Sequence, residues 1–321
     1  MRNVNFVIAA LSVIFIQSCL KDEIPDKVQT EEIKIENRTA NYASGVDSAL
    51  FLVFDREGVI EYSGIMPWTG GLVRLRTGSK SLFAFSGVDF RNTAVMTLDE
   101  LRGLRHRLSD DRASGGGMFC EAGLTVSEEQ HPYVSFQMKR YLARIRLTKI
   151  TNRLKYPLDD VSMRFLGVCL VNVPETVYVD GRNDADCDYH IRRGITGDSF
   201  VFSGDAVFQG IDCPLLTVFD CRAEDMTVSS GESIDIPSHF LYSFPSSGDE
   251  TLKIVVAAEI GGSVYYYPVD IGFIGMNESW EMTLDISRLG SSDPAVAVFD
   301  AQAASFSTDS FNNGPELDIV F

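Results

Sequence analysis

Histidine is scarce in this chain of 321 residues, and the short motifs that mark chemistry are missing. The four histidines, His106, His131, His190 and His239, are scattered and form no HExxH-type pair. There is no Gly-x-Ser-x-Gly elbow, no phosphate loop and no CxxC. These gaps argue against a metalloprotease, a serine hydrolase, a nucleotide-driven enzyme and a thiol oxidoreductase, so neither an enzyme nor a bound cofactor or metal is expected. Positive charge is also short. Lysine and arginine number 28 against 45 aspartates and glutamates, a formal charge of −17. That field repels nucleic acid and anionic surfaces, so nucleic acid is not an expected partner. Long apolar runs are absent after residue 19, where nothing approaches the ~20 residues a spanning helix needs. Cysteine is sparse: beyond Cys19 there are Cys120, Cys169, Cys187, Cys213 and Cys221, an odd number without metal-ligand spacing. At least one thiol is therefore unpaired; buried small hydrophobes are the expectation, with a Cys213–Cys221 bridge the alternative.

What the chain does have begins at its start. Arg2 supplies a positive charge, Phe6 to Ile16 is apolar, and Ile16-Gln17-Ser18-Cys19 closes the run. Charged, apolar and small residues in that order make an export signal, too short to be a spanning helix. A cysteine directly after the small residue is the bacterial lipobox pattern. Cleavage between Ser18 and Cys19 would make Cys19 the first mature residue, acylated on its thiol and amine. More than one acyl chain turns marginal membrane binding into stable anchoring. An ordinary secretion signal with a chance cysteine is the alternative. Leu20-Lys21-Asp22-Glu23 resembles the charged signal that sends Bacteroidetes lipoproteins to the outer face of the outer membrane. Residues 19–30 then read as a lipidated, solvated tether.

From there short strands dominate. Ala49 to Phe54 runs into the turn Asp55-Arg56-Glu57-Gly58, and Val59 to Tyr62 returns as its hairpin partner. Leu72 to Arg76 and Ser81 to Ser86 follow. The period then changes: Leu98, Leu101, Leu104 and Leu108 predict one helix over 97–108, opened by a Thr97/Glu100 capping box. A charged, Gly-rich loop is expected from Ser109 to Gly117. Tyr133 to Leu147 reads as one long alternating stretch, with Tyr141, Ala143, Ile145 and Leu147 inward and Arg140, Arg144 and Arg146 outward. Outward arginines are expected to be solvated rather than a polyanion site. Val161 to Val173, Leu215 to Phe219, Ser233 to Phe244 and Trp280 to Ile286 are further strands. The clearest hairpin is Ile254 to Ile260 with Ser263 to Pro268, joined by Gly261-Gly262. The fold class expected is all-β, in β-sandwiches with one small helix. Asp184, Asp186 and Asp188 begin like a calcium loop, but Tyr189 and Ile195 occupy the positions where glycine and an acid belong, so a solvated acidic loop is expected.

Several of these pieces together resemble the fimbrillins, subunits of the type V pili of Bacteroidetes. They are the lipobox, the first strand Ala49–Phe54 with Asp55 and Gly58, Leu82–Ser86 ahead of the helix, and Ser287 to Pro294. The most telling is Arg140-Tyr-Leu-Ala-Arg-Ile-Arg-Leu147, similar to the family's R-x-x-A-R-I strand between two domains. The resemblance implies two tandem transthyretin-like Greek-key sandwiches, here 31–139 and 140–321, after the signal peptide 1–18.

It also implies a mechanism. A protease cuts after an arginine, the first strand leaves, and an extended segment of another subunit fills the groove. Glu32-Ile-Lys-Ile-Glu-Asn-Arg38 is the candidate leaving strand, with Ile33 and Ile35 on one face and Arg38 as the processing site. Leu317, Ile319 and Phe321 alternate after Asn312-Asn313-Gly314-Pro315 and form a candidate donor strand. An ordinary edge strand is the alternative for both segments. The expected partners are other fimbrial subunits, the outer membrane through the lipid, and a host or bacterial surface receptor. Anchor subunits of the family tend to have a second cysteine soon after the first; here the next is Cys120, which favours a stalk or tip position. The rival reading is a surface glycan-binding lipoprotein, for which Tyr265 or Tyr267 could supply a sugar platform, although sheet packing is the commoner role of such aromatics.

Overall fold

A computed structural model describes residues 29–38, 48–88, 95–114, 116–128, 133–190, 202–203, 206–207, 218–220, 225–237, 240–246, 251–292 and 304–310. Ser18, Cys19, Cys213, Cys221, Leu317, Ile319 and Phe321 lie outside these residues. In chain order the first half gives β1 (Thr30–Asn37), β2 (Ser48–Phe54), β3 (Ile60–Pro67), β4 (Gly70–Arg76) and β5 (Gly78–Ser86). Next come α1 (Leu98–Gly103), β6 (Arg105–Arg107), α2 (Leu108–Ser114), β7 (Met118–Val126), β8 (Tyr133–Phe136) and β9 (Lys139–Arg140). The second half opens with β10 (Ala143–Asn152), β11 (Met163–Val171), β12 (Val173–Pro174), β13 (Thr176–Tyr178) and β14 (Tyr189–His190). The pairs β15 (Phe202–Ser203) and β16 (Ala206–Val207), then β17 (Val218–Asp220), β18 (Thr227–Val228), β19 (Ser233–Asp235) and β20 (Leu241–Ser243) are short. Long strands close the chain: β21 (Leu252–Ile260), β22 (Ser263–Gly272), β23 (Ser279–Ile286) and β24 (Ala304–Ser310). The fold is mostly β, in several sheets that are largely antiparallel.

Two sheets face each other in the first half. One has the order β4-β1-β8, the other β3-β2-β5-β7-β9. Period-two alternation sends Ile33, Ile35, Val73, Leu75, Val134 and Phe136 from the first sheet into a shared core. Phe51, Val53, Leu82, Ala84 and Cys120 enter it from the second. The opposite face of the five-stranded sheet is also apolar, and Leu52, Phe54, Phe83 and Phe85 join a larger core. That core is completed by the sheets β19-β10-β23-β24 and β17-β11-β21-β22, through residues such as Ile145, Phe165, Val256 and Leu284. Inward Tyr141, Ala143, Ile145 and Leu147 are buried as their alternation predicted. The Gly-Gly hairpin forms between β21 and β22, with φ of 59° at Gly261 and 79° at Gly262, the left-handed backbone such a turn needs. Cys120, Cys169 and Cys187 are buried thiols.

Four expectations of secondary structure need correction. The helix predicted over 97–108 stops at Gly103. Its capping box is present, and the Glu100 carboxyl is held below its usual range by the Met96 and Thr97 backbone N–H groups and the Thr97 hydroxyl. Leu104 is extended, however, and Arg105–Arg107 pair with Thr176–Tyr178 as a short ladder. Pairing with a distant strand outweighs local helical preference, and Leu101 and Leu108 still reach the core from separate elements. The expected loop after it is instead helical as α2. Tyr133–Leu147 is not one strand but three, interrupted at Gln137-Met138 and Tyr141-Leu142. Ser233–Phe244 likewise breaks after Asp235, close to Pro237, which has no N–H for a ladder.

Candidate strand-exchange groove

β1 is the first described strand, yet it occupies the centre of its sheet. It pairs antiparallel with β4, Ile33 opposite Val73 and Ile35 opposite Gly71, and parallel with β8, Ile35 opposite Val134 and Asn37 opposite Phe136. Ile33 and Ile35 are 0% and 1% exposed. Burying each stabilises by about 1.5–3 kcal/mol. Beside the strand Phe136 meets Phe51 edge-on, with ring centroids 5.6 Å apart. Close packing extends to the backbone. A Cβ at Gly70, where φ is +97°, would lie 2.1 Å from the Ile35 carbonyl oxygen, so this position requires glycine. With β1 taken away, β4 and β8 would face each other across a strand-wide gap floored by apolar side chains.

Arg38 follows directly. Its backbone N–H donates to the Phe136 carbonyl at 2.9 Å, continuing the β8 ladder by one bond. Its side chain is exposed and lies on the outer face of the sheet. One guanidinium nitrogen donates to the Tyr133 hydroxyl at 3.1 Å, and the guanidinium carbon lies 5.5 Å from the centre of the Tyr133 ring. The Lys34 ammonium is 5.7 Å from the same ring, and the Tyr133 hydroxyl donates to the Glu36 carboxylate. Tyr133 thus gathers three charged side chains of the β1 end. Sequence reading places Tyr133 only in an alternating stretch; its role depends on a parallel pairing that no local pattern announces.

The other residues singled out from sequence fall elsewhere. Asp184 is not in a solvated loop: its carboxylate is buried, bonded to Arg105 at 2.5 Å and to the Thr176 hydroxyl at 2.9 Å. Burial pushes this carboxyl up, but the Arg105 and Thr176 bonds outweigh it and leave it below the usual range. Among the described residues no cluster of histidine, cysteine and acidic groups could hold a metal. The arginines of the 140–147 stretch are not simply solvated either. Arg140 is 5% exposed, and Arg144 and Arg146 lie over the Phe240 ring at 4.6 and 5.7 Å. Burial lowers the pKa of Arg144, whose Nε donates to the Ser279 hydroxyl at 2.8 Å. Tyr267 is a core residue, its phenol pushed up to about 12 by burial, and offers no sugar platform; Tyr265 is half-buried. His106 is buried beside Asp111, Nε2 to Oδ1 3.1 Å, under Tyr141.

No family model and no curated protein matches the chain. Solved structures do. A structure described as a candidate cell adhesion protein from Parabacteroides distasonis superposes with a TM-score of 0.60 at 15% identity, covering 90% of this chain and 97% of that one. A second from the same organism gives 0.59 at 13% identity, over 88% and 99%. A fimbrilin from Porphyromonas gingivalis gives 0.53 at 11% identity, over 83% and 92%. The chain therefore has the fold shared by fimbrilins and cell adhesion proteins of Bacteroidetes, along most of its length.

Proposed function

We propose that this chain is a structural and adhesive subunit of a surface fimbria, exported as a lipoprotein and assembled by strand addition between subunits, with no enzymatic role. In this reading Cys19 carries the lipid after cleavage behind Ser18 and holds the chain at the outer face of the outer membrane. The folded part is two tandem transthyretin-like sandwiches, 31–139 and 140–321. Cutting after Arg38 frees lipid, tether and β1 together. An extended segment from a neighbouring subunit then enters the gap between β4 and β8, gaining ladder hydrogen bonds on both sides and burial for its alternate side chains. Leu317, Ile319 and Phe321 have the alternation needed to replace Ile33 and Ile35. A stalk or tip place in the fimbria suits the chain, with a surface receptor as the further partner of a tip subunit.

One observation carries this reading: β1, the first described strand, holds two fully buried isoleucines between β4 and β8 and is followed directly by an exposed arginine. The test is assembly after limited cleavage by an arginine-specific endopeptidase. Wild type should give a ladder of polymers that collapses only on boiling, and Arg38→Ala should remain monomeric. Polymers from Arg38→Ala would end the cleavage reading. A monomer retarded on a polysaccharide gel would support a glycan-binding lipoprotein instead.

A further inference from the structure

We propose that Tyr133 is a latch that sets how readily the chain is cut at Arg38. The inference rests on Arg38 being the processing site. An arginine-specific protease must take the guanidinium into an acidic pocket and draw the flanking backbone into an extended strand of its own. Both requirements conflict with what β8 does here. The guanidinium is engaged by the hydroxyl and ring face of Tyr133, and the Arg38 N–H is spent on Phe136. Glu36 accepts a hydrogen bond from the same hydroxyl, which leaves the hydroxyl oxygen free to accept from Arg38 and ties the two contacts together. Lys34 lies against the same ring, so two side chains of β1 and the arginine just after it converge on one residue of β8.

The geometry also says what must open. Paired residues of β1 and β4 end at Glu36 opposite Gly70, whereas pairing with β8 continues through Asn37 opposite Phe136. Beside β4 the Asn37 N–H reaches the Thr69 carbonyl at a long 3.3 Å. The last residues of β1 are therefore held chiefly by β8, and they can peel from it while Ile33 stays buried. Cleavage of the folded chain then follows the population of this locally opened form. Tyrosine suits a latch because few torsions are frozen when it engages, and its ring accepts a cation on its face while its hydroxyl bonds a neighbour.

The test uses the full folded chain with a limiting amount of an arginine-specific endopeptidase, and mass spectrometry to follow the new terminus at Thr39. Relative to wild type, Tyr133→Ala should speed this cut about fivefold to tenfold, and Tyr133→Phe, which keeps the ring, about twofold to threefold. Cutting after Arg56, in the exposed β2–β3 turn, should not change. Amide hydrogen exchange should quicken at Asn37 and Arg38 but not at Ile33. Equal rates for all three proteins at Thr39 would overturn the latch and leave Arg38 as the processing site. Faster exchange at Ile33 in step with cleavage would also overturn it, since the substitution would then only loosen the sheet. No cut at Arg38 in any of the three would remove the processing site and the latch together.

Discussion

The Tyr141 hydroxyl donates to the Val179 carbonyl oxygen at 2.5 Å, with the tyrosine fully buried. This bond ties the approach to β10 to the turn after β13. Burial pushes the phenol well above its usual range, and the Asp111 and Asp180 carboxylates add to the effect. The ring stacks on Phe119 at 4.8 Å and leans on His106. Tyr141→Phe should cost about 1–3 kcal/mol, because it leaves a buried carbonyl without its donor. Tyr141→Ala should cost about 3–5 kcal/mol by opening a cavity. Urea unfolding followed by fluorescence would rank the two.

Gly117 lies against the same cluster. A Cβ there would meet His106 Nε2 at 2.7 Å, Asp111 Oδ1 at 2.8 Å and Tyr141 Cδ2 at 2.9 Å, all in rigid, buried side chains. Gly117→Ala should therefore lower stability by about 1–3 kcal/mol, the cost of overpacking, visible as a lowered urea midpoint.

Glu61 and Lys80 form a buried ion pair across the five-stranded sheet, 2.6 Å apart, with side chains 7% and 4% exposed. Lys80→Met removes the nearer cation and leaves Glu61 with only the half-exposed Arg76, 3.5 Å from its other carboxylate oxygen. It should cost about 1–3 kcal/mol, and Glu61→Leu combined with Lys80→Met should recover only part of that loss, because the Arg76 backbone N–H then loses its Glu61 acceptor. A double-mutant cycle in urea measures the difference.

Asp184 makes stability depend on acid. Its folded-state pKa lies below the unfolded value near 3.8, so its ionised form is the one the fold favours. The contribution is complete above pH 3.8 and is lost as pH falls through the lower folded value. Asp184→Asn should flatten the unfolding curve in that acid window and lower stability at neutral pH. Denaturant midpoints for both proteins at a series of pH values from neutral to strongly acidic would show it.

Cys120 offers a reporter for β1. Burial raises its thiol to about 11, and it shares a core with Ile33 and Ile35. In the intact chain it should resist iodoacetamide at pH 8. After cleavage at Arg38 and loss of β1, labelling should accelerate at least about tenfold, since exposure returns the thiol towards its ordinary pKa near 8.5. Peptide mapping would assign the site, and refilling of the groove by a donor peptide should slow it again.

Much of this was legible locally. The alternation of Ile33 and Ile35, the Thr97–Glu100 box and the Gly261-Gly262 turn each depend on a few adjacent residues, and each holds. What was not legible depends on partners far along the chain. Leu104 leaves the helix because Arg105–Arg107 find Thr176–Tyr178. Asp184 is buried because Arg105 crosses to it, 79 residues away. Tyr133 meets Arg38 across 95 residues through a parallel register that neither segment encodes alone. Arg144 and Arg146 follow the outward period, but the period does not reveal that Phe240 lies over both, and Arg140, on β9 opposite Met118, is buried instead.

The five-stranded sheet faces an apolar layer on both sides, with Phe51 and Val53 turned one way and Leu52 and Phe54 the other. A vacancy left by β1 would therefore be confined to one layer. The far side would still be clamped by the larger core, so a chain stripped of β1 would keep its shape rather than melt. The free energy of the empty groove would then be stored locally, and under the proposed strand addition it would be returned on assembly, which makes the two-faced sheet a reservoir as well as a wall.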